Sequence, residues 1–208
     1  MKKDYFKRTL QMLISVILMG VAVKFLLMTN WGADPWTTVN SALSNWTGIS
    51  FGTCQLTTNI ILLLIVFWRE RSLLGLGTFG NMILVGYSAD FTGWVLEKLF
   101  GTLQFDSVAS KILVIIPALI VFVLTAGIYM NSYLGTAPYD AFSNLIHDRV
   151  CKATGKDIKF RIVRMVYDGV MALIGFLIGG KIGIVTVGII LTLGPAVDLV
   201  GHLFNKHK

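Results

Sequence analysis

The sequence predicts an all-α polytopic membrane protein, with six transmembrane helices arranged as two inverted three-helix repeats. Three observations predict it. Apolar residues gather in runs of about 18 to 24, the length a helix needs to cross a ~30 Å hydrocarbon core. Lys and Arg collect in alternate connections between those runs, as cytoplasmic loops do. Short motifs of the first half recur in the same order in the second, the mark of an internal duplication.

Composition agrees with a lipid environment. Of the 208 residues, 55% are hydrophobic and only 14% charged, against roughly a quarter charged in soluble domains. The net charge of +7 would suit a nucleic-acid partner if it formed a patch. Its segregation into short connections instead reports topology, so no nucleic-acid partner is expected. Cys54 and Cys151 fall on opposite sides of the membrane in this arrangement, which excludes a disulfide between them.

The first span is expected at 10–29. Lys2, Lys3, Lys7 and Arg8 precede it in the manner of a signal peptide, but the apolar stretch is long and lacks a cleavage site, so it reads as a retained helix. Further spans are expected at 53–68, 73–96, 112–132, 162–180 and 182–204. Between the first and second, and between the fourth and fifth, lie segments 36–46 and 139–150. At about 1.5 Å per residue these are too short to cross, and they read as re-entrant or interfacial helices. Asp34 before Pro35 is an N-cap followed by proline at the first helical position; Thr136-Ala137-Pro138 is a weaker version. A re-entrant helix would turn a partly positive N-terminus toward an anionic group. An interfacial one would use Trp31, Trp36 and Trp46 as belt aromatics.

The basic residues at 2–8, Arg69, Arg71, the group from Arg149 to Arg161, Lys206 and Lys208 share one side, and Lys98, Lys111 and Lys181 the other. Both termini are therefore expected in the cytoplasm.

The repeats can be matched residue by residue. Gly32-Ala33-Asp34-Pro35-Trp36 answers Gly135-Thr136-Ala137-Pro138-Tyr139, Gln55 and Asn59 answer Arg164 and Asp168, and Gly86 and Asp90 answer Gly194 and Asp198. The halves are 1–104 and 105–208, integrated in one membrane domain. Three crossings are an odd number, so the second copy enters from the opposite face, a plan common in secondary transporters.

The Gly-x-Asp-Pro-Trp loop, the glycine-rich third span with its later Asp, and the second loop ending Pro138-Tyr139-Asp140 resemble the YczE/YyaS/YitT family of bacterial integral membrane proteins. The resemblance implies a multi-pass protein of the bacterial cytoplasmic (inner) membrane. It also implies a family whose role is mostly unassigned, with export of antibiotics or other small molecules suggested for some members. Asp34 faces Ala137 and Thr37 faces Asp140 in the match, so the two loops are chemically unequal.

Ionisable residues inside spans are costly and by default face an interior, a cavity or a partner. Asn59, Asp90, Asp168 and Asp198, with Asp34, Trp36, Asn40, Tyr139 and Asp140 of the loop helices, are thus the expected substrate- or ion-binding positions. Lys24 is a gating partner for Asp90, with snorkelling as its alternative, and Arg164 a partner for Asp198 or Asp168. Gly86, Gly194 and Pro195 are expected helix breaks, although small residues also serve close helix packing.

No metalloprotease, nucleophile-elbow or phosphate-loop motif occurs, so no enzyme, cofactor or metal site is expected. The expected function is secondary transport of a small organic molecule by alternating access, export being one option for its direction, with Asp90, Asp168 and Asp198 as candidates for proton coupling or for binding a cationic group. The alternative is a non-transporting accessory or scaffold protein, or the capture subunit of a multi-component importer. Membrane lipids, a small-molecule substrate, and either a second copy or an accessory subunit are the partners consistent with this reading.

Overall fold

The computed structural model describes residues 2–205, with the side chains of 2–4, 196–198 and 201–205 outside the description. The described chain is all-helical: α1 Lys2–Thr29, α2 Pro35–Thr47, α3 Phe51–Arg69, α4 Leu76–Phe100, α5 Val108–Met130, α6 Pro138–Thr154, α7 Phe160–Leu177 and α8 Ile184–Asn205, with one 3-10 turn at Arg71–Leu73. Three of these are long and apolar enough to cross a membrane, over Tyr5–Thr29, Phe51–Arg69 and Val108–Met130. The other long helices carry charge within them, Asp90, Glu97 and Lys98 in α4 and Arg161, Arg164 and Asp168 in α7.

Polarity is distributed inside out. Trp68 is 81% and Leu113 76% exposed, whereas Asn40, Gln55, Asn59, Thr78 and Ser143 are buried. Water would reverse this arrangement, and a hydrocarbon solvent favours it.

The 36–46 and 139–150 segments form helices, as their start signals predict. Asp34 Oδ1 accepts from Thr37 N at 3.1 Å, Pro35 takes the first position, and Gly48 ends α2 in the left-handed region. At α6 the cap is Ala137 with no side-chain bond, followed by Pro138. The first half of α2 is buried and Trp46 is exposed, so α2 dips by its N-terminus into the protein.

Several boundaries differ from expectation: α1 starts at Lys2 rather than 10, α4 ends at Phe100 rather than 96, α5 starts at Val108 rather than 112 and α6 ends at Thr154 rather than 150. The helix expected from 73 starts at Leu76, because the 3-10 turn and extended Leu74 precede it. The helix expected to reach 180 ends at Leu177, where the backbone turns back through Gly179 at φ 94° and Gly180 N bonds Gly175 O at 2.7 Å.

Helix α1 packs on α4 and α5, and α5 on α1 and α8. Helix α2 packs on α3 and α7, while α6 packs on the same two; α3 meets α4, and α7 meets α8. Two backbone locks join early and late segments. After α1 the chain passes through Asn30 at φ 57° and Gly32 at φ 95°, and Trp31 O accepts from Val185 N at 3.3 Å at the start of α8. After α5 it passes through Tyr133 at φ 56° and Gly135 at φ 104°, and Leu134 O accepts from Gly77 N at 2.7 Å at the start of α4. A side chain at Gly32 or Gly135 would strain the backbone and collide with Thr186 or Thr78 respectively.

Candidate functional site

The two short helices meet at their N-termini. Trp36, second residue of α2, and Tyr139, second residue of α6, stack with centroids 4.9 Å apart and planes at 27°. Each ring is tethered to a long helix. Trp36 Nε1 donates to Asn59 Oδ1 at 3.1 Å on α3, and Tyr139 Oη donates to Asp168 Oδ1 at 2.7 Å on α7. Residues matched by sequence thus sit opposite each other in matched bonds. Prolines at both helix starts fix the entry angle that aims the rings inward.

Chemistry differs on the two sides. Arg164, one turn before Asp168, donates from Nε to both Asp168 oxygens at 3.1 Å, and from a terminal nitrogen to Asp140 Oδ1 at 2.7 Å and Ser143 Oγ at 3.2 Å. Its guanidinium carbon lies 5.0 Å from the Tyr139 ring centre, within cation–π range. All three charged side chains are largely buried. Desolvation of such a cluster is costly, and removing one member costs more than the pair contributes.

On the other side the network is neutral. Asn40 Nδ2 donates to Trp36 O at 2.8 Å and Thr58 Oγ1 to Asn40 Oδ1 at 2.6 Å. Gln55, which answers Arg164, is 4% exposed and its Oε1 has no partner; Asp34 Oδ2 is likewise buried and unpartnered. Burial raises the Asp34 carboxyl above the ordinary carboxylate range; its bonds to Thr37 oppose the rise, and nearby Asp168 and Asp140 add to it.

These groups line one cavity of about 340 Å³, which holds Asp34, Trp36, Gln55, Asn59, Tyr139, Asp140, Arg164 and Asp168 in its wall. Its apolar part comes from residues such as Val23 on α1, Val85 on α4 and Phe122 on α5, and Arg161, Gly194 and Pro195 contribute to one end. Asn81 and Tyr129 also line it and were not singled out from sequence. Asn81 carries a usable signal, an amide inside an apolar helix.

Asp90, Lys24 and Gly86 do not line this cavity. Asp90 Oδ2 accepts from Gly52 N at 2.7 Å, capping the start of α3, and Lys24 extends over Gly93. Lys24 and Asp90 therefore do not form the expected ion pair: similar depth on two helices does not make side chains face each other. Helix α4 runs through Gly86 without a break; a Cβ there would lie 2.7 Å from Gly52 Cα, so this glycine serves the close approach of α3 and α4. Helix α8 also continues through Gly194 and Pro195. Asp198 lies on α8, but its side chain is outside the described residues. Arg164 pairs with Asp168, one of its two expected partners, and also with Asp140.

The geometry defines an all-helical chain with three helices long and apolar enough to cross a membrane and a cavity lined by buried polar groups. The chain belongs to a family of unknown function, DUF6198, whose sequence model matches residues 6–202. An uncharacterized protein of Haemophilus influenzae is 22% identical over 196 residues, covering 94% of this chain and 84% of that protein. No solved structure matches.

Proposed function

We propose that this protein is a secondary-type transporter of a small organic molecule, built from inverted repeats at 1–104 and 105–208 that enclose the cavity and expose it alternately. In this reading six helices span the cytoplasmic membrane of a bacterium with both termini inside, and α2 and α6 are re-entrant. The packing supports the repeat. Exchanging α1 with α5, α2 with α6, α3 with α7 and α4 with α8 maps each described helix pair onto another described pair. The loop motifs shared with YczE/YyaS/YitT proteins favour the same plan.

One observation carries the transport reading: repeat-related ends of the cavity are packed unequally. At one end Gly86 lies against Gly52, with Asp90 bonded to Gly52 N. At the other, a Cβ on Gly194, which answers Gly86, would meet no atom of the described residues within 4 Å, and Gly194, Pro195 and Arg161 border the cavity. Two equivalent interfaces, one tight and one open, are what alternating access requires, since exchanging their packings moves the opening to the other face. The charge map puts the open end on the cytoplasmic side. Arg164, Asp168 and Asp140 would bind or couple protons at the centre.

Proteoliposomes holding the purified protein and a defined mixture of amines, acids and neutral solutes test this reading. It expects protein-dependent flux of at least one solute, abolished by Asp168→Ala. Saturable binding with no flux would contradict it and favour a capture subunit.

A further inference from the structure

We infer that the cavity selects an organic ammonium ion with an apolar body, held through N–H bonds to Asp34 and Gln55. This rests on the cavity being the substrate site proposed above and adds the substrate class.

Charge comes first. Three carboxyls, Asp34, Asp140 and Asp168, and two guanidiniums, Arg161 and Arg164, line the cavity; Arg161 is exposed and bonds Leu191 O. Arg164 is already engaged by two of these carboxylates, which leaves Asp34 as a cavity carboxyl with no cation bonded to it; burial raises it, so a cation placed beside it would favour its charged form. The positive ends of the short helices offer an anion little, because Asp34 bonds the first turn of α2 and Asp140 lies in the first turn of α6. A ligand carboxylate or phosphate would meet like charge.

Hydrogen-bonding capacity points the same way. Among the described residues, two side chains of the cavity wall carry a buried oxygen without a partner, Asp34 at Oδ2 and Gln55 at Oε1, the latter beside Gly86. Leaving a buried acceptor unpaired costs about 1–3 kcal/mol, so the site favours a ligand that brings donors. Gln55 is 4% exposed and its Oε1 is closed to solvent. A protonated amine supplies up to three N–H groups and the missing positive charge. Phe122 and Val85 form an apolar wall suited to the rest of the ligand, and a volume of about 340 Å³ lies at the small-molecule end of ligand pockets.

The test uses the full-length protein in detergent, with thermal shift and equilibrium dialysis as readouts. The probes are primary ammonium ions from butylammonium to 2-phenylethylammonium, each paired with the alcohol and the carboxylate of the same length. Saturable binding of at least one ammonium, with its alcohol and carboxylate at least tenfold weaker, is expected. Asp34→Asn and Gln55→Leu should each weaken it by roughly ten- to a hundredfold, the worth of a hydrogen bond to a charged group, while Asp106→Asn, on the exposed surface, leaves it unchanged. If Asp34→Asn does not fold, Gln55→Leu and the matched probes decide. Binding led by a carboxylate or alcohol, no binding by any ammonium, or binding indifferent to both substitutions overturns the inference. Ammonium binding without flux would overturn the transport reading alone, and flux of an anion would overturn the substrate class alone.

Discussion

The two sides of the central ring stack share a scaffold and differ in charge. Trp36 with Asn59 and Tyr139 with Asp168 repeat one design: a proline-started short helix, an inward ring, and a bond to a long helix. Around Tyr139 the neighbours are Arg164, Asp140 and Ser143 in a closed ionic network. Around Trp36 they are Asn40, Thr58 and Gln55, with one amide oxygen unsatisfied. The matched scaffold fixes where groups stand, while the residues that differ decide which are spent on structure and which stay free for a ligand. The ionic side holds its own position, and the neutral side has capacity to spare.

Substitutions at matched positions sharpen that contrast. The largest effect is expected at Arg164→Met, which leaves Asp140 and Asp168 buried without their cation and should cost about 3–5 kcal/mol, read as thermal or denaturant unfolding in detergent. The matched Gln55→Met should be neutral or stabilising by up to ~1 kcal/mol, because it removes an unsatisfied acceptor. Equal losses at both would break the comparison.

The paired glycines come next. Gly86→Ala forces a Cβ to 2.7 Å from Gly52 Cα and should destabilise by about 1–3 kcal/mol through overpacking. Gly194→Ala meets no atom of the described residues within 4 Å and should be neutral or stabilising by up to about 1 kcal/mol, since alanine is the better helix former. Both are read by the same unfolding assay. A smaller loss, about 1–2 kcal/mol, is expected for Trp36→Phe, which keeps the stack and orphans Asn59 Oδ1. The change should appear in unfolding, and added Asn59→Leu should recover part of it.

Much of this was legible in the sequence. Apolar runs locate the long helices, and Asp34-Pro35 and Ala137-Pro138 mark the starts of α2 and α6. The sequence match pairs Trp36 with Tyr139 and Asn59 with Asp168, the residues that form the stack and its two tethers. Azimuth was not legible. Lys24 and Asp90 have similar depth, yet Asp90 turns to the start of α3, because rise along a helix says nothing about the direction a side chain faces. Glycine is ambiguous for a related reason: Gly86 could mark a break or a close contact, and only the partner helix decides. The free acceptors of Gln55 and Asp34 were hidden too, since a missing bond shows only when all neighbours are placed.

The central claim is that the tight and open ends of the cavity exchange. Spin labels on a cysteine-free background at Ile49 and Trp94, on the α3–α4 side, and separately at Phe160 and Leu199, on the α7–α8 side, measure it directly in proteoliposomes by double electron–electron resonance. The account predicts two distances for each pair, with any added amine that lengthens the first shortening the second. Single, unchanging distances at both ends, or distances that rise and fall together, would contradict it.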